Sequence, residues 1–148
     1  MARFVYRMQS IFNIKAKMED QAKMEFGTAR AHLNEEEAKL EFLFNRKALY
    51  EEQGRELQKD SLKVREIIEN RDSIARIKEF IQTQQECVAL ATKKLEEARV
   101  KLQNARLESR TQERLREKAF EDFVHDENVR EGKEVDELTS YTHSRKES

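Results

Sequence analysis

The sequence contains no proline and no tryptophan, only three glycines, and a single cysteine, Cys87. Because proline and glycine are the residues that most often end or bend helices, their scarcity permits unusually long helices. A single thiol cannot form an intramolecular disulfide, which favours a reducing compartment. Since Cys87 flanks an apolar position of the pattern described below, we expect it to be partly buried and inert.

The chain also lacks an excess of charge of one sign and a long apolar run. Its 29 basic and 30 acidic residues leave a net charge of −1, which gives no general reason to bind nucleic acid. No apolar run approaches the ~18 residues of a membrane-spanning helix, so we expect no direct transmembrane insertion. Charges recur too often near the start for the apolar core of a signal peptide.

Motifs for catalysis, cofactors and metals are absent as well. The sequence has no glycine-rich phosphate loop, no paired-cysteine metal spacing and no nucleophile elbow. Its histidines, His32, His125 and His143, have no second histidine or cysteine at ligand spacing. We therefore expect no catalytic, cofactor-binding or metal-binding residue, and a non-enzymatic protein that acts by contact.

The sequence does contain a regular apolar pattern. From Ile74 to Phe123, mostly apolar residues recur at alternating spacings of three and four residues. A period of 3.5 residues is typical of the seam of a left-handed coiled coil. The seam turns polar at Ser109, Gln112 and Arg116, where we expect looser packing. The predicted positions are Ile74, Ile77, Ile81, Gln84, Val88, Ala91, Leu95, Ala98, Leu102, Ala105, Ser109, Gln112, Arg116, Ala119 and Phe123.

A second periodic stretch precedes the first and predicts another helix from Phe4 to Leu57. Its phase slips between Ala22 and Leu33, which would locally unwind a supercoil. The predicted seam positions are Phe4, Met8, Ile11, Met18, Ala22, Ala29, Leu33, Leu40, Leu43, Tyr50 and Leu57.

The segment between the two stretches, residues 58–73, predicts a short elbow in which Asp60 or Ser61 caps a following helix. This elbow is either a short helix of its own or the first turns of helix two. Because short connections make neighbouring helices antiparallel, we predict an all-α fold, an antiparallel two-helix coiled-coil hairpin in one domain. Helix one would cover residues 1–57, helix two 74–138, and a frayed, disordered tail 139–148.

The two ends of the chain together resemble a known family. Residues 4–15 read FVYRMQSIFNIK, and residues 116–123 read REKAFEDF and precede an acidic stretch. At this length, and with two helical stretches, these segments resemble the flagellar export protein FliJ family. The resemblance implies a stalk or adaptor without chemistry in the flagellar type III export apparatus, located in the cytoplasm and peripherally at the cytoplasmic face of the cell membrane.

The resemblance also implies partners and contact residues. The partners are the hexameric export ATPase, the export gate membrane protein, and the export chaperones that the protein helps to recycle. The implied ATPase-facing end comprises Phe4, Tyr6, Met8, Ile11, Arg116, Lys118, Phe120 and Phe123. The implied gate-facing half comprises Leu43, Tyr50, Ile74, Ile77 and Phe80.

Two other classes of protein remain as alternatives. One is a generic structural coiled-coil spacer, for example a parallel homodimer. The other uses the acid-free start, residues 1–18, which carries Arg3, Arg7, Lys15 and Lys17, as a membrane-surface helix or a transit peptide. The helical phase that continues beyond Met18 favours a structural helix over both uses of the start.

Overall fold

The computed structural model describes residues 2–59 and 63–147. Within these residues the chain forms two α-helices, α1 over Gln9–Leu57 and α2 over Val64–Glu147, and no strand. The two helices pack against each other, which confirms the predicted all-α helical hairpin. Contacts divide the chain into two units. The terminal unit comprises Met1–Asp20 and Asn104–Ser148, and the elbow unit comprises Gln21–Gln103.

Within each unit, the side-chain bonds between α1 and α2 follow an antiparallel register. In the terminal unit, Lys15 bonds Glu108 and Arg116 bonds Gln9, so higher numbers on α1 meet lower numbers on α2. In the elbow unit, the pairs Lys101–Glu25, Gln84–Glu36 and Asn70–Tyr50 follow the same order. The single-domain organisation stays a prediction.

The seam predicted for α2 is the side of this helix that is buried in the structure. Every predicted position from Ile74 to Phe123 except Arg116 is buried or half-buried. The same spacing continues back into the predicted elbow, where Asn70 and Ile67 are half-buried. Because period and burial agree over so many turns, this seam follows directly from the sequence pattern.

The seam of α1 agrees with the prediction from Leu33 onwards but is offset near its start. Gln9, Phe12, Ala16 and Glu19 are half-buried. The predicted positions Met8, Ile11 and Met18 are exposed. Phe4 lies before α1, in a segment that is not helical, and so its position does not set the phase of the helix.

The predicted phase slip between Ala22 and Leu33 is wrong. Burial passes through this segment at regular steps of four and three, at Ala22, Phe26, Ala29 and Leu33. The seam then continues through Glu36, which is buried although it is charged. A charged residue therefore occupies a seam position that is not among the predicted ones.

The predicted starts of both helices also need correction. Helix α1 begins at Gln9 instead of residue 1, and α2 begins at Val64 instead of residue 74. The Ile67 amide donates to the Lys63 carbonyl oxygen (3.0 Å), so the first turn of α2 lies inside the predicted elbow. The predicted caps Asp60 and Ser61 lie outside the described residues.

The predicted disordered tail is helical in the structure as far as Glu147. Residues 139–146 are exposed, so packing against α1 does not hold this segment in a helix. The Thr142 hydroxyl donates to the Leu138 carbonyl oxygen (2.8 Å), and no proline interrupts the backbone ladder. The helix therefore continues because no residue stops it. The loss of apolar periodicity in this segment does not end the helix.

One glycine permits a close approach of the helices near the elbow. A Cβ atom on Gly54 would lie 2.6 Å from Oδ1 of Asn70. The amide nitrogen of Asn70 in turn donates to the backbone carbonyl oxygen of Tyr50 (2.9 Å). Any larger residue at position 54 would displace the side chain that joins α2 to α1 here.

Cys87 is exposed, contrary to our expectation, because it lies beside the seam and not in it. In the two described ranges, neither helix has an apolar segment long enough to cross a membrane. Within the same ranges, no group of three or more His, Cys, Asp or Glu residues is arranged to hold a metal ion.

Candidate functional site

Aromatic residues from both ends of the chain meet in the terminal unit. The ring centroid of Phe4 lies 5.2 Å from that of Phe120, edge to face, and 5.5 Å from that of Phe123. Both distances are in the favourable range for aromatic pairs. Because Phe4 lies before α1, these contacts hold a non-helical segment against α2. The antiparallel pairing of the helices thus brings Phe4 to Phe120 and Phe123.

Arg116 completes this group, which we call the aromatic–arginine cluster: Phe4, Phe12, Arg116, Phe120 and Phe123. The guanidinium carbon lies 5.6 Å from the Phe4 ring centroid and 5.8 Å from that of Phe12. Its Nε donates a hydrogen bond to Oε1 of Gln9 (3.0 Å). An exposed cation–π contact is worth about 0.5–1 kcal/mol, so two contacts and one hydrogen bond orient this cation over the rings.

The polar part of the α2 seam is occupied by specific contacts in this unit. The Tyr6 hydroxyl donates to Oε1 of Gln112 at 3.4 Å, a long hydrogen bond. Ser109, one helical turn before, is buried. Two of the polar residues of the α2 seam thus have polar partners, since Gln112 pairs with Tyr6 and Arg116 pairs with Gln9. The looser packing that we expected there stays a prediction.

The predicted ATPase-facing residues all lie in the terminal unit, but only some of them contact one another. Phe4, Arg116, Phe120 and Phe123 belong to the cluster, and Tyr6 lies beside it through Gln112. Met8 and Ile11 are exposed on α1 or in the turn before it, and Lys118 is exposed on α2. The structure thus brings together about half of the predicted set.

Sequence reasoning did not include Gln9 and Phe12 among the site residues. Both are half-buried seam residues of α1, and both contact Arg116. The signal that could have found them is their spacing, because Gln9, Phe12 and Ala16 continue the three-four pattern of the seam. The predicted pattern started at Phe4 and continued through Met8 and Ile11, so it did not include the stripe of Gln9 and Phe12.

The cluster has the composition of a protein-contact surface. Phe120 is 48 % exposed, and Arg116 is exposed above the rings. Aromatic and arginine side chains that are already held in place lose little conformational entropy on binding, and they dominate the energetics of protein interfaces. The surrounding groups offer hydrogen bonds, a cation and apolar area, which suit binding a protein partner.

The residues predicted to face the export gate differ in their accessibility within the elbow unit. Ile77 is 7 % exposed and packs in the seam, whereas Phe80 is 61 % exposed. Leu43, Tyr50 and Ile74 are half-buried. A partner that binds the folded hairpin would therefore meet Phe80 most fully, while Ile77 would act through packing.

A row of side chains on α1 adds to the surface of the elbow unit. The Arg46 guanidinium carbon lies 5.7 Å from the Phe42 ring centroid and 5.6 Å from that of Tyr50, and Arg46 also donates to the Tyr50 hydroxyl (3.1 Å). Phe42 and Phe44 are exposed and were not predicted as site residues. The four-residue spacing of Phe42, Arg46 and Tyr50 is the signal that could have identified this row.

A polar layer lies in the seam of the elbow unit. Glu36 is 8 % exposed, and Nε2 of Gln84 donates to its carboxylate (2.5 Å) and to its backbone carbonyl oxygen (2.9 Å). The Gln84 hydrogen bond is the main reason that the pKa of Glu36 is lowered, with a further contribution from Lys39. The carboxylate is therefore held in its charged form inside the seam.

Comparison with known proteins agrees with this architecture. A family model described as the flagellar FliJ protein matches residues 4–148. The solved structure of a "putative YscO homolog CT670" from Chlamydia trachomatis is similar, with a TM-score of 0.67 and 25% sequence identity. The match covers 97% of this chain and 96% of that one. No curated protein sequence matches the chain significantly.

Proposed function

Because this chain belongs to the FliJ family and is thus a protein of flagellar type III export, we propose that it is a non-catalytic stalk or adaptor of the export apparatus. In this role it links the export ATPase ring to the export gate and assists the recycling of export chaperones. It acts in the cytoplasm, peripherally at the inner face of the cell membrane.

The observation that carries this proposal is the aromatic–arginine cluster. It unites the residues that lie just before α1 with α2, and it presents Phe120 and Arg116 outward on an already ordered support. Such a preorganised group suits binding without chemistry, because the ordering cost is met within the hairpin before the partner arrives. We assign this cluster to the contact with the export ATPase.

The contact with the export gate is assigned to exposed aromatics of the elbow unit. Phe80 on α2 and Phe42 on α1 are both exposed, and Arg46 stacks on Phe42. Exposed apolar side chains are common singly, but aromatic residues with an adjacent arginine are enriched in protein interfaces. Leu43, Tyr50, Ile74 and Ile77 would support this surface from the seam.

The ATPase contact is tested with a double variant, Arg116→Ala with Phe120→Ala, and purified export ATPase in a binding assay. Both changes remove exposed parts of the cluster and leave the half-buried Phe123 in place. We expect affinity to fall by at least about tenfold, as for other interface hot spots. Swimming in soft agar should fall in parallel.

The matched control is Leu107→Ala, which removes an exposed apolar side chain from the same helix and the same unit. Its ATPase affinity and swimming should equal those of the wild type. Wild-type ATPase binding by the double variant, with a wild-type circular dichroism spectrum, would reject the assignment of the cluster to the ATPase.

The gate contact is tested separately with Phe80→Ala and with Leu90→Ala as its control, since both positions are exposed on α2 in the elbow unit. We expect Phe80→Ala to weaken binding to the soluble part of the gate protein and to leave ATPase binding unchanged. Loss of both interactions would point to misfolding instead of a gate contact. The role with chaperones is checked by co-purification of cargo-free export chaperones with the wild-type chain.

The alternative of a parallel homodimeric spacer receives no support from the helix pairing. Within each unit, the seam of α1 is covered by α2 of the same chain. A parallel dimer through these seams would need both to open, at a cost of all the apolar area that they bury.

A further inference from the structure

The first turns of α1 carry an exposed apolar surface in the terminal unit. The Phe12 amide donates to the Met8 carbonyl oxygen (3.0 Å), so the helical turn already includes Met8. Within residues 8–18, a sector of about 120° around the helix holds only apolar and basic residues. Its apolar members, which we call the α1 outer face, are at least 40% exposed: Met8, Ile11, Ile14 and Met18.

One residue of α2 adds to this surface. Lys15 bonds Glu108, which marks the side of α2 that borders the α1 outer face. Leu115 lies about two helical turns after Glu108, hence on the same side, and is 44% exposed. Its level agrees as well, because the neighbouring Arg116 bonds Gln9 across the two helices. Both helices of the terminal unit thus contribute to one exposed apolar surface.

The charge of the α1 segment has a single sign. Residues 2–18 contain four basic residues and no acidic one, and the next residue with an acidic side chain is Glu19. Lys15 lies within the sector of the α1 outer face, Lys17 lies at its edge, and Arg7 directly precedes it. Long basic side chains cover apolar area with their stems and carry their charge outward to anionic headgroups. The segment therefore has the composition of an amphipathic helix that binds at a membrane surface.

We propose that the α1 outer face, together with Leu115, binds anionic phospholipid, with α1 lying in the plane of the membrane surface and this side inserted among the headgroups. The proposal deepens the location at the inner face of the cell membrane and rests on that proposed function for its biological setting. One helix serves two purposes, because its seam side packs on α2 while its outer side stays uncovered. A structural helix and a membrane-surface helix are therefore compatible in this segment.

The shape of the surface favours a membrane over an acidic protein partner. Ile14 lies opposite the seam residues Gln9, Phe12 and Ala16 on α1, so the α1 outer face is a convex ridge and not a groove. A partner helix packs its side chains into grooves, whereas a fluid lipid surface accepts a ridge. The unbroken positive charge of the segment also suits a continuous sheet of anionic headgroups.

The acidic part of α2 does not cancel this attraction. Residues 126–137 contain six acidic and two basic residues. Glu131, near the middle of that stretch, lies sixteen residues beyond Leu115, roughly 24 Å along the helix. A Debye length at physiological salt is about 8 Å, so repulsion over this separation is largely screened. Asp122 is closer, but it follows Lys118 by one helical turn, and the two charges offset each other.

The lipid-binding surface is separate from the aromatic–arginine cluster. Phe120 lies about 140° around α2 from Leu115, so the exposed part of the cluster points to a different side of the terminal unit. Met8 and Ile11, which the family resemblance assigns to the ATPase, are assigned to lipid instead. Binding of the ATPase through Arg116 and Phe120 leaves the α1 outer face open.

Lipid binding is tested by co-sedimentation of the purified full chain with vesicles. We expect binding to vesicles of phosphatidylglycerol and phosphatidylcholine but not to phosphatidylcholine alone, and weaker binding as salt is raised. Ile14→Asp should weaken binding by at least about tenfold, because it places a charge on the inserted side. Leu49→Asp is the matched control, since Ile14 and Leu49 are both 54% exposed on α1, and Leu49 belongs to the elbow unit. It should bind vesicles as the wild type does.

The electrostatic contribution is tested with the double variant Arg7→Gln, Lys17→Gln. Its affinity for the anionic vesicles should fall by at least about tenfold, because two charges near the headgroups are lost. The double variant Arg65→Gln, Arg76→Gln removes the same charge from exposed positions of the elbow unit. Its vesicle binding should stay close to that of the wild type.

Insertion is tested with an environment-sensitive fluorophore attached to Ile14→Cys in a Cys87→Ser background, which removes the native exposed thiol. On addition of anionic vesicles we expect its emission to shift to the blue and to be quenched by lipids brominated in their acyl chains. The same fluorophore on Leu49→Cys should show neither change.

Three results would overturn the proposal. The first is a wild-type chain that does not bind phosphatidylglycerol vesicles. The second is vesicle binding that Ile14→Asp leaves unchanged, which would show adsorption by charge without the apolar face. The third is binding to soluble polyglutamate but not to vesicles, which would make an acidic protein the partner. Because the vesicle assay contains neither the ATPase nor the gate protein, none of these results bears on the contacts proposed for those partners.

Discussion

The side-chain amide of Gln84 bonds both the carboxylate and the backbone carbonyl oxygen of Glu36, at 2.5 and 2.9 Å. This pair crosses between the helices of the elbow unit inside an otherwise largely apolar seam. A polar pair at one seam position costs stability relative to apolar residues but distinguishes the correct register from its neighbours. The hydrogen bonds between Gln84 and Glu36 therefore favour the observed register of α1 against α2 in the elbow unit.

Replacing Gln84 with leucine should lower the urea midpoint of unfolding, because the buried Glu36 carboxylate then loses its donor from α2. The double variant Glu36→Leu, Gln84→Leu should recover or exceed wild-type stability, since an apolar layer replaces the polar one. Gln85→Leu makes the same change at an exposed neighbouring position and serves as control. Equal midpoints for Gln84→Leu and Gln85→Leu would contradict a structural role for the pair.

The stability of the hairpin should fall with acid in part through Glu36. Its pKa is lowered in the folded chain, so it stabilises the fold above the ordinary carboxyl value of 4.5. That contribution is lost as the pH falls through the folded pKa. Urea titrations from neutral to acidic pH should show a smaller decrease for Glu36→Gln than for the wild type.

A residual decrease is expected in the Glu36→Gln variant, because Arg55 and Arg99 also lower the pKa values of Glu52 and Glu96. Glu37→Gln, at an exposed position beside Glu36, should keep the full wild-type decrease. If Glu36→Gln and Glu37→Gln show the same acid dependence, Glu36 is not one of the groups responsible.

Two glycines within α1 should respond oppositely to alanine. No atom outside the local helix lies within 4 Å of a Cβ built on Gly27, so Gly27→Ala should stabilise the chain by about 0.5–1 kcal/mol. Gly54→Ala should destabilise it, because the new Cβ would meet Oδ1 of Asn70 and disturb the bond to Tyr50. Thermal unfolding measures both, and stabilisation by Gly54→Ala would show that Asn70 adjusts without cost.

The offset of the α1 seam can be measured at two adjacent positions. Phe12 is half-buried and contacts Arg116, whereas Ile11 is 40% exposed. Phe12→Ala should therefore cost about 2 kcal/mol, below the 3–5 of a fully buried phenylalanine. Ile11→Ala should cost clearly less in the same urea titration. A larger loss of stability for Ile11→Ala than for Phe12→Ala would instead support the predicted seam, which contains Ile11.

Much of the hairpin was predictable because the α2 pattern is long and has a single solution. From Ile74 to Phe123, one apolar stripe repeats every 3.5 residues, and no competing stripe is as regular. The start of α1 carries two overlapping stripes. The more apolar one, with Ile11 and Met18, is exposed, and the one with Gln9 and Glu19 faces α2. Composition alone favours the wrong stripe there.

The candidate site was predictable to a similar degree. Family resemblance pointed to both chain ends, and antiparallel pairing brought Phe4 to Phe120 and Phe123. The position of Arg116 between Phe4 and Phe12, bonded to Gln9, did not follow from the sequence. Those contacts depend on where a non-helical segment lies against α2, and no periodicity describes such a segment.

The sequence by itself determined that two helices form and that one side of α2 must be covered, because helical period and apolar spacing are local properties of the chain. The tertiary structure decided which stripe of α1 is covered and that Glu36 lies inside the seam. It also decided that Ile14 and Leu138 stay exposed. These outcomes depend on which groups of the other helix come within reach, since a side chain is buried by its neighbours and not by its own hydrophobicity.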